Sequence, residues 1–369
     1  MRDDAATNDQ IQEILKRPVY DRDDGAVLDL FRTHIERGMA LNEGYRNFVE
    51  HWPKDFASAE LADFPYLPVG IFKREVPLAL CEPDKITRVI RSSATTGQQP
   101  AAIPIDLQTG RTMAKSASLI FQSILGPDRR PFLVIDAASV NAAQADLNAR
   151  GAAIRSLMPF AKTVTYGLSD DDLEPLIDQL SVFSEEHGDE DVLVYGFTWV
   201  LWARLVDQLQ DKGIKLNLKN AKVLHSGGWK KLTSEAVDKA TFNQRVAEVV
   251  GCTPADVIDF YGMVENLGVV YPDGPTGFKH PPIFGGVVIR DPLTLEPVSP
   301  GETGLLQVCS IVPTSFPGWL LLTDDMAELV GYDDPESRRP GPYFRLKGRA
   351  PKAEIRGCGE VIAKRFANA

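Results

Sequence analysis

Cysteine and histidine are scarce in this chain. Its four cysteines, Cys81, Cys252, Cys309 and Cys358, form no Cys-x-x-Cys pair. That excludes a zinc ribbon and a thioredoxin-like dithiol, and four in 369 residues is no secreted disulfide framework. The five histidines are scattered, with no His-Glu-x-x-His helix, so a zinc-protease site of that kind is excluded. No stretch approaches the roughly 18 apolar residues of a membrane span. The start, Met1-Arg2-Asp3-Asp4, lacks the basic end and apolar run of a signal peptide. Positive charge is in deficit: 40 Lys and Arg stand against 51 Asp and Glu, a net charge of −11. A protein that tracks a phosphate backbone would usually carry a basic surplus. A single nucleotide is still permitted, because a local dipole and one metal ion can hold a polyphosphate inside an acidic protein. The expectation is a soluble, cytoplasmic protein with no nucleic-acid partner and no membrane span.

What is present is an ordinary globular balance, 44% hydrophobic and 25% charged residues. At roughly 150 residues per domain the length suggests about two domains. Residues 8–50 read as helices: Ile11, Ile14 and Leu15, then Val27, Leu30, Phe31, Ile35 and Met39, repeat at helical spacing. Two prolines forbid a helix in Phe64-Pro65-Tyr66-Leu67-Pro68-Val69, which reads as an extended connector into Ile71-Phe72-Lys73. Strands then alternate with helices. The expected strands are 88–92, 132–136, 192–195, 223–225 and 257–261, and the expected helices are 109–125, 173–186, 199–209 and 234–250. That alternation implies a largely parallel sheet with crossover helices. From about 283 the texture changes to short strands and turns, an antiparallel region that includes 285–291 and 304–308. A last short strand is expected near 354–356. The expected domains are a helical region 1–63, an α/β core 64–340 and a short C-terminal tail 341–369.

Five motifs could carry chemistry. Arg91-Ser92-Ser93-Ala94-Thr95-Thr96-Gly97-Gln98-Gln99-Pro100 follows a strand. Its small residues let backbone N–H groups approach a phosphate and its hydroxyls add donors, although such a loop is also a common plain turn. No Gly-Lys-Ser/Thr follows, so it is not a Walker loop. Gly227-Gly228-Trp229 lies after a strand, where paired glycines admit a flat ligand or simply form a turn. Tyr261-Gly262-Met263-Val264-Glu265 offers a ring to stack on and a carboxylate for a hard cation, or one more strand end. Thr323-Asp324-Asp325 and Lys347-Gly348-Arg349 supply a carboxylate for ribose hydroxyls and a guanidinium for phosphate, or solvated charges.

In this order the five motifs resemble the adenylate-forming superfamily of acyl-CoA synthetases, peptide-synthetase adenylation domains and luciferases. The resemblance covers roughly residues 64–360. Within that superfamily three stretches are similar to the LuxE-type acyl-protein synthetases. They are Pro65–Lys73, Tyr195-Gly196-Phe197-Thr198-Trp199, and above all the ending from Gly348 through Cys358 to Gly359. There are departures from the wider superfamily. Ala94 stands where a Gly is usual, no Lys follows Pro100, Val264 replaces a Thr, and Asp324 replaces a Gly. Pro351 occupies a hinge where Asp or Lys is common.

The resemblance implies an α/β fold: the layered N-terminal domain of an adenylate-forming enzyme with a smaller β region. The superfamily's mobile C-terminal domain, and with it a catalytic lysine, is expected to be missing or reduced to a stub. It also implies ATP and Mg²⁺ as cofactors. Ser92, Ser93, Thr95, Thr96 and Gly97 would meet the phosphates, with Glu265 and Thr96 on the metal. Tyr261 would stack on adenine beside Gly227, Gly228, Trp229 and Gly262. Asp325 would hold the ribose and Arg349 the phosphate–ribose side. Lys230 or Lys231 would stand in for the absent lysine, and Cys358 would accept the acyl group as a thioester.

Arg349 and Cys358 are nine residues apart, at most roughly 30 Å of extended chain, so a flexible tail could reach. A fatty or aromatic acid fits better than an amino acid, because no carboxylate is obviously placed to meet an α-amino group. Phe197, Trp199 and Trp202 could wall an acyl pocket or pack the core. The acceptor implied is a reductase or carrier protein, and a homo-oligomer is compatible. Two alternatives stay open: direct transfer to coenzyme A or a carrier, and a degenerate adenylation fold that only binds.

Overall fold

The computed structural model describes residues 2–56, 60–92, 100–141, 149–229 and 236–350. The chain forms two compact units. One runs up to Ile120 and resumes at Gly262, and the other is Phe121–Tyr261.

The Phe121–Tyr261 unit is the parallel sheet. Its strands are β4 (Arg130–Ala137), β5 (Ala161–Leu168), β6 (Asp191–Phe197), β7 (Asn220–Ser226) and β8 (Val257–Tyr261). They lie in the order β5-β4-β6-β7-β8, and every neighbouring pair is parallel. β4 and β6 are buried almost along their whole length, as an unbroken apolar run covered on both faces requires. The expected strands at 132–136, 192–195, 223–225 and 257–261 are all present. β5 was not anticipated. It is an edge strand whose first residues are largely exposed, so Ala161-Lys162-Thr163-Val164 carries no apolar run.

The crossovers are helical: α5 (Ala149–Leu157), α6 (Ile177–His187) and α9 (Lys239–Val250). Asp238 caps α9 by accepting from the Thr241 N–H at 2.9 Å, and Gly251, at φ 96°, ends it in the left-handed conformation. The expected helix at 199–209 is interrupted. Short α-helical turns, α7 (Thr198–Val200) and α8 (Asp207–Asp211), flank a π-helical stretch Leu201–Val206.

The other unit contains three N-terminal helices, α1 (Arg2–Ile14), α2 (Asp24–Leu41) and α3 (Glu43–Glu50). Asp23 and Asn42 cap the last two through side-chain oxygens. α2 and α3 pack on the segment 311–319. The buried His34 ring stacks on Trp319 at 5.0 Å and its Nε2 sits 2.8 Å from the Ile311 carbonyl. β1 (Leu67–Pro68) is extended, as the prolines demand, but a 3₁₀ turn follows at Val69–Phe72. Pro68 forbids a helix before it, whereas as the cap residue it gives up no intrahelical hydrogen bond.

β2 (Ile86–Arg91) and β3 (Ala102–Asp106) form an antiparallel pair, after which α4 (Leu107–Leu125) begins. Beyond Gly262 come the short β9 (Tyr271–Pro272) and the expected antiparallel region. It comprises β10 (Gly285–Arg290), β11 (Thr303–Ser310), β12 (Leu320–Asp334) and β13 (Arg339–Arg349). The sheet order is β1-β12-β11-β10, with β13 on the other part of β12, and β1 runs parallel to β12. The strand expected near 354–356 lies outside the described residues.

Candidate active site

Of the residues expected at the site, Ser93, Thr95, Thr96, Gly97, Lys230 and Cys358 lie outside the described residues, as does Lys231. The others fall into two groups, one in each unit.

In the parallel unit they sit at the carboxyl ends of strands, where open α/β sheets take ligands. Ser226 ends β7, and Gly227-Gly228-Trp229 follow. Gly227 has φ 78°, and a Cβ there would fall 2.8 Å from the Phe197 ring, so only glycine fits. Gly228 has open space where a Cβ would be. The Thr198 hydroxyl braces the turn. It lies 2.8 Å from the Gly227 carbonyl and 2.9 Å from His225 Nδ1. A carbonyl only accepts, so Thr198 donates to Gly227 and His225 Nδ1–H donates to Thr198, which assigns the histidine tautomer. Asp259 Oδ1 is 3.7 Å from the same nitrogen.

Tyr261 is the last residue of β8 and is nearly buried. Trp229 packs on Trp202 at 5.4 Å, and both pack on Phe242. Trp202 is therefore engaged in the aromatic core of this unit, the second of its two readings. Asp136, at the end of β4, is buried and ion-paired with Arg150, whose Nε donates at 2.9 Å.

In the other unit Glu265 lies on a turn packed against β11, while Asp325 sits on β12, which pairs with β11, and Arg349 on β13; both act on the Glu265 carboxyl. Asp325 and Arg349 are direct partners across β12 and β13, with Arg349 Nε 3.8 Å from Asp325 Oδ1. Thr323 fixes this end of β12. Its buried hydroxyl donates to the Leu306 carbonyl at 2.7 Å and accepts from the Asp325 N–H at 3.1 Å. Glu265 sits in a buried 3₁₀ turn, Val264–Asn266, with only 7% of its surface exposed. Burial pushes its carboxyl above the usual range and nearby Asp325 pushes the same way, while Lys73 and Arg349 pull it back. Asn266 beside it has a buried Oδ1 without a hydrogen-bond partner among the described residues.

Glu265 thus offers a hard oxygen donor whose negative charge is poorly solvated, the donor type that suits Mg²⁺. No cluster of three or more His, Cys, Asp or Glu able to hold a metal occurs among the described residues.

Ser92 is tied to Ala101 in both directions. Its Oγ accepts the Ala101 N–H at 2.9 Å and its own N–H donates to the Ala101 carbonyl at 3.1 Å. The Ser92 hydroxyl keeps its own proton to donate. Gly262, where the other unit resumes directly after Tyr261, would place a Cβ 3.1 Å from Val270 Cγ1. Three residues were not singled out from sequence. Thr198, Thr323 and Lys73 each lie in a quoted stretch, but nothing in the sequence around them gives them a role of their own.

The Glu265 turn is held by a glycine. Gly268 has φ 92°, and a Cβ there would fall 2.8 Å from the Met113 Cα of α4 and 2.8 Å from Ser116 Oγ. Gly268→Ala is expected to cost roughly 2–5 kcal/mol through backbone strain and overpacking. Urea unfolding of the two proteins measures it, and a cost below about 1 kcal/mol would show that the turn relaxes freely.

Of the described cysteines, Cys309 and Cys252 have thiols pushed up to about 12 by burial, and Cys81 is raised for the same reason. None of the three is set up as a thiolate.

Known proteins were compared with this architecture. A 2-hydroxyisobutyryl-CoA ligase in its thioesterification state, with 2-HIB-AMP and CoA, superposes with a TM-score of 0.66 at 17% identity. The match covers 89% of this chain and 68% of that one. The open conformation of the same ligase gives a TM-score of 0.65 at 16% identity, covering 88% and 74%. At such identities the likeness establishes the fold, that of adenylate-forming ligases.

Among sequences, the long-chain-fatty-acid–luciferin-component ligase of Vibrio harveyi is 23% identical over 340 residues, 88% of this chain and 84% of that protein. The enzyme of the same name from Aliivibrio fischeri is 30% identical over 151 residues, 38% of each. The model of the acyl-protein synthetase family LuxE matches residues 16–367. With nearly its whole length matched, the chain belongs to the LuxE family of acyl-protein synthetases.

Proposed function

We propose that this acyl-protein synthetase joins a long-chain fatty acid to AMP, receives the acyl group on Cys358 as a thioester, and passes it to a partner protein. The observation that carries the reading is the convergence of buried Glu265 with Asp325 and Arg349. One carboxylate suits a metal ion, one suits ribose hydroxyls, and the guanidinium suits the phosphate side. Adenylation converts an unreactive carboxylate into an acyl group with a good leaving group, which splits one hard step into two easier ones. Mg²⁺ bound at Glu265, with Thr96 as a further ligand, would neutralise phosphate charge. Ser92, Ser93, Thr95, Thr96 and Gly97 supply donors to the phosphates. Tyr261 stacks on adenine, with Gly227, Gly228, Trp229 and Gly262 leaving room for its plane. Lys230 is a further cation for the phosphates.

The cysteine chemistry supports the second step. The three described thiols are raised by their surroundings, whereas Cys358 lies in a stretch with Lys352 and Arg356, cations that favour a thiolate. The fatty acyl preference rests on what the Vibrio harveyi and Aliivibrio fischeri relatives are named for. The partner is a protein able to take an acyl group from a thioester, such as a reductase.

ATP–pyrophosphate exchange, measured with saturated fatty acids of increasing chain length, aromatic acids and amino acids, tests the reading. Exchange is expected with long-chain fatty acids and not with amino acids. Exchange that depends on an amino acid, or on no added acid at all, would overturn the substrate assignment.

A further inference from the structure

One lysine beside this cluster forms no ion pair among the described residues. Lys73 is exposed and follows the 3₁₀ turn Val69–Phe72. Its position is set by the sheet. β1 pairs in parallel with β12, Leu67 opposite Leu321 and Pro68 opposite Leu322. The turn Val69–Phe72 that follows β1 packs against β12, the strand that carries Asp325, and Lys73 comes directly after that turn. Phe72 is fully buried, edge-on to Phe316 at 5.8 Å, which anchors the residue next to Lys73. Lys73 and Arg349 are the two cations that act on the Glu265 carboxyl.

Elsewhere in the same unit lysines near carboxylates are paired. Lys54 reaches Asp63 at 2.8 Å, Lys279 reaches Asp273 at 3.2 Å, and Lys347 reaches Glu328 at 2.6 Å. Arg349 faces Asp325 at 3.8 Å. Lys73 has no side-chain hydrogen bond or ion pair among the described residues. Its ammonium group is held near a metal-suited carboxylate with all three N–H donors uncommitted.

We propose that Lys73 is a phosphate-binding residue, whose ammonium group meets the β- and γ-phosphates of ATP and follows them as pyrophosphate leaves. The proposal rests on the adenylation reading and deepens it. In that step a carboxylate oxygen of the acid forms a bond to the α-phosphorus. The bond from the α-phosphorus to the oxygen bridging to the β-phosphate breaks, and its electron pair departs with pyrophosphate. No proton is transferred. Charge accumulates on the leaving group, where a preorganised ammonium stabilises it most. A compact, strongly hydrated cation on a flexible stem is suited to such a point contact.

The test compares nucleotides that differ in the phosphates at issue. Binding of AMP and of a non-hydrolysable ATP analogue is measured by calorimetry with Mg²⁺ present, for wild type, Lys73→Met and Lys73→Arg. Lys73→Met is expected to weaken the ATP analogue at least about 10-fold while AMP binding stays within twofold. Lys73→Arg, which keeps the charge, is expected to recover most of the loss. Unchanged binding of both nucleotides in Lys73→Met would overturn the proposal. So would an equal loss for both, which would mark a structural effect. Pyrophosphate exchange by wild type is run alongside. If wild type shows no exchange with any acid, adenylation fails as a reading, and the ATP–AMP difference still decides the role of Lys73.

Discussion

Glu265→Gln is expected to lower acid-dependent ATP–pyrophosphate exchange by at least about 100-fold, the usual cost of deleting one preorganised charge-stabilising group. The substitution keeps the shape and removes the charge. Its effect on stability should run the other way. Burial raises the Glu265 carboxyl pKa, so at neutral pH the ionised group is held at a cost to the folded state. For an acid whose folded pKa lies above its unfolded value, that cost is present at higher pH and disappears as pH falls through the folded pKa. Gln carries no charge at any pH and is free of it. The variant should therefore unfold at an equal or higher temperature than wild type at pH 7, and the difference should shrink on acidification. Activity falling while stability holds is the pattern of a functional site that is strained by its own charge. A variant that loses exchange and also melts well below wild type would make Glu265 a structural residue instead.

Cys358→Ala has the second large effect, and on the other half of the reaction. Exchange needs only the acid, ATP and the adenylate site, so it should stay within about twofold of wild type. Accumulation of a hydroxylamine-sensitive acyl-protein should vanish, because alanine has no nucleophile to take the acyl group. None of the other cysteines is a natural substitute. Cys309 is fully buried, and Cys252 and Cys81 are partly buried with raised thiols. Full acyl transfer to a thiol acceptor by Cys358→Ala would favour direct handover to coenzyme A or a carrier.

Much of the parallel unit could be read from local pattern. β4, β6, β7 and β8 are apolar runs bounded by polar turns, and each was placed by its own residues. β5 was missed because an edge strand with an exposed face has no such run. The π-helical stretch at Leu201–Val206 was read as ordinary helix, since a one-residue change in hydrogen-bond register leaves the side-chain pattern nearly intact. The motifs were visible one at a time. Their meeting was not: Asp325 faces Arg349 only because β12 and β13 pair in that register. Lys73 shows why the rest was hidden. Its significance comes from β1 lying parallel to β12, a long-range pairing with no local signature.

The most direct measurement is the intact mass of the wild-type protein after incubation with ATP, Mg²⁺ and a long-chain fatty acid, before and after hydroxylamine. The expected result is a gain equal to the mass of the acid less one water, carried on the peptide containing Cys358 and released by hydroxylamine. No gain with any acid that supports pyrophosphate exchange, or a gain on a peptide lacking Cys358, would contradict a self-acylating synthetase.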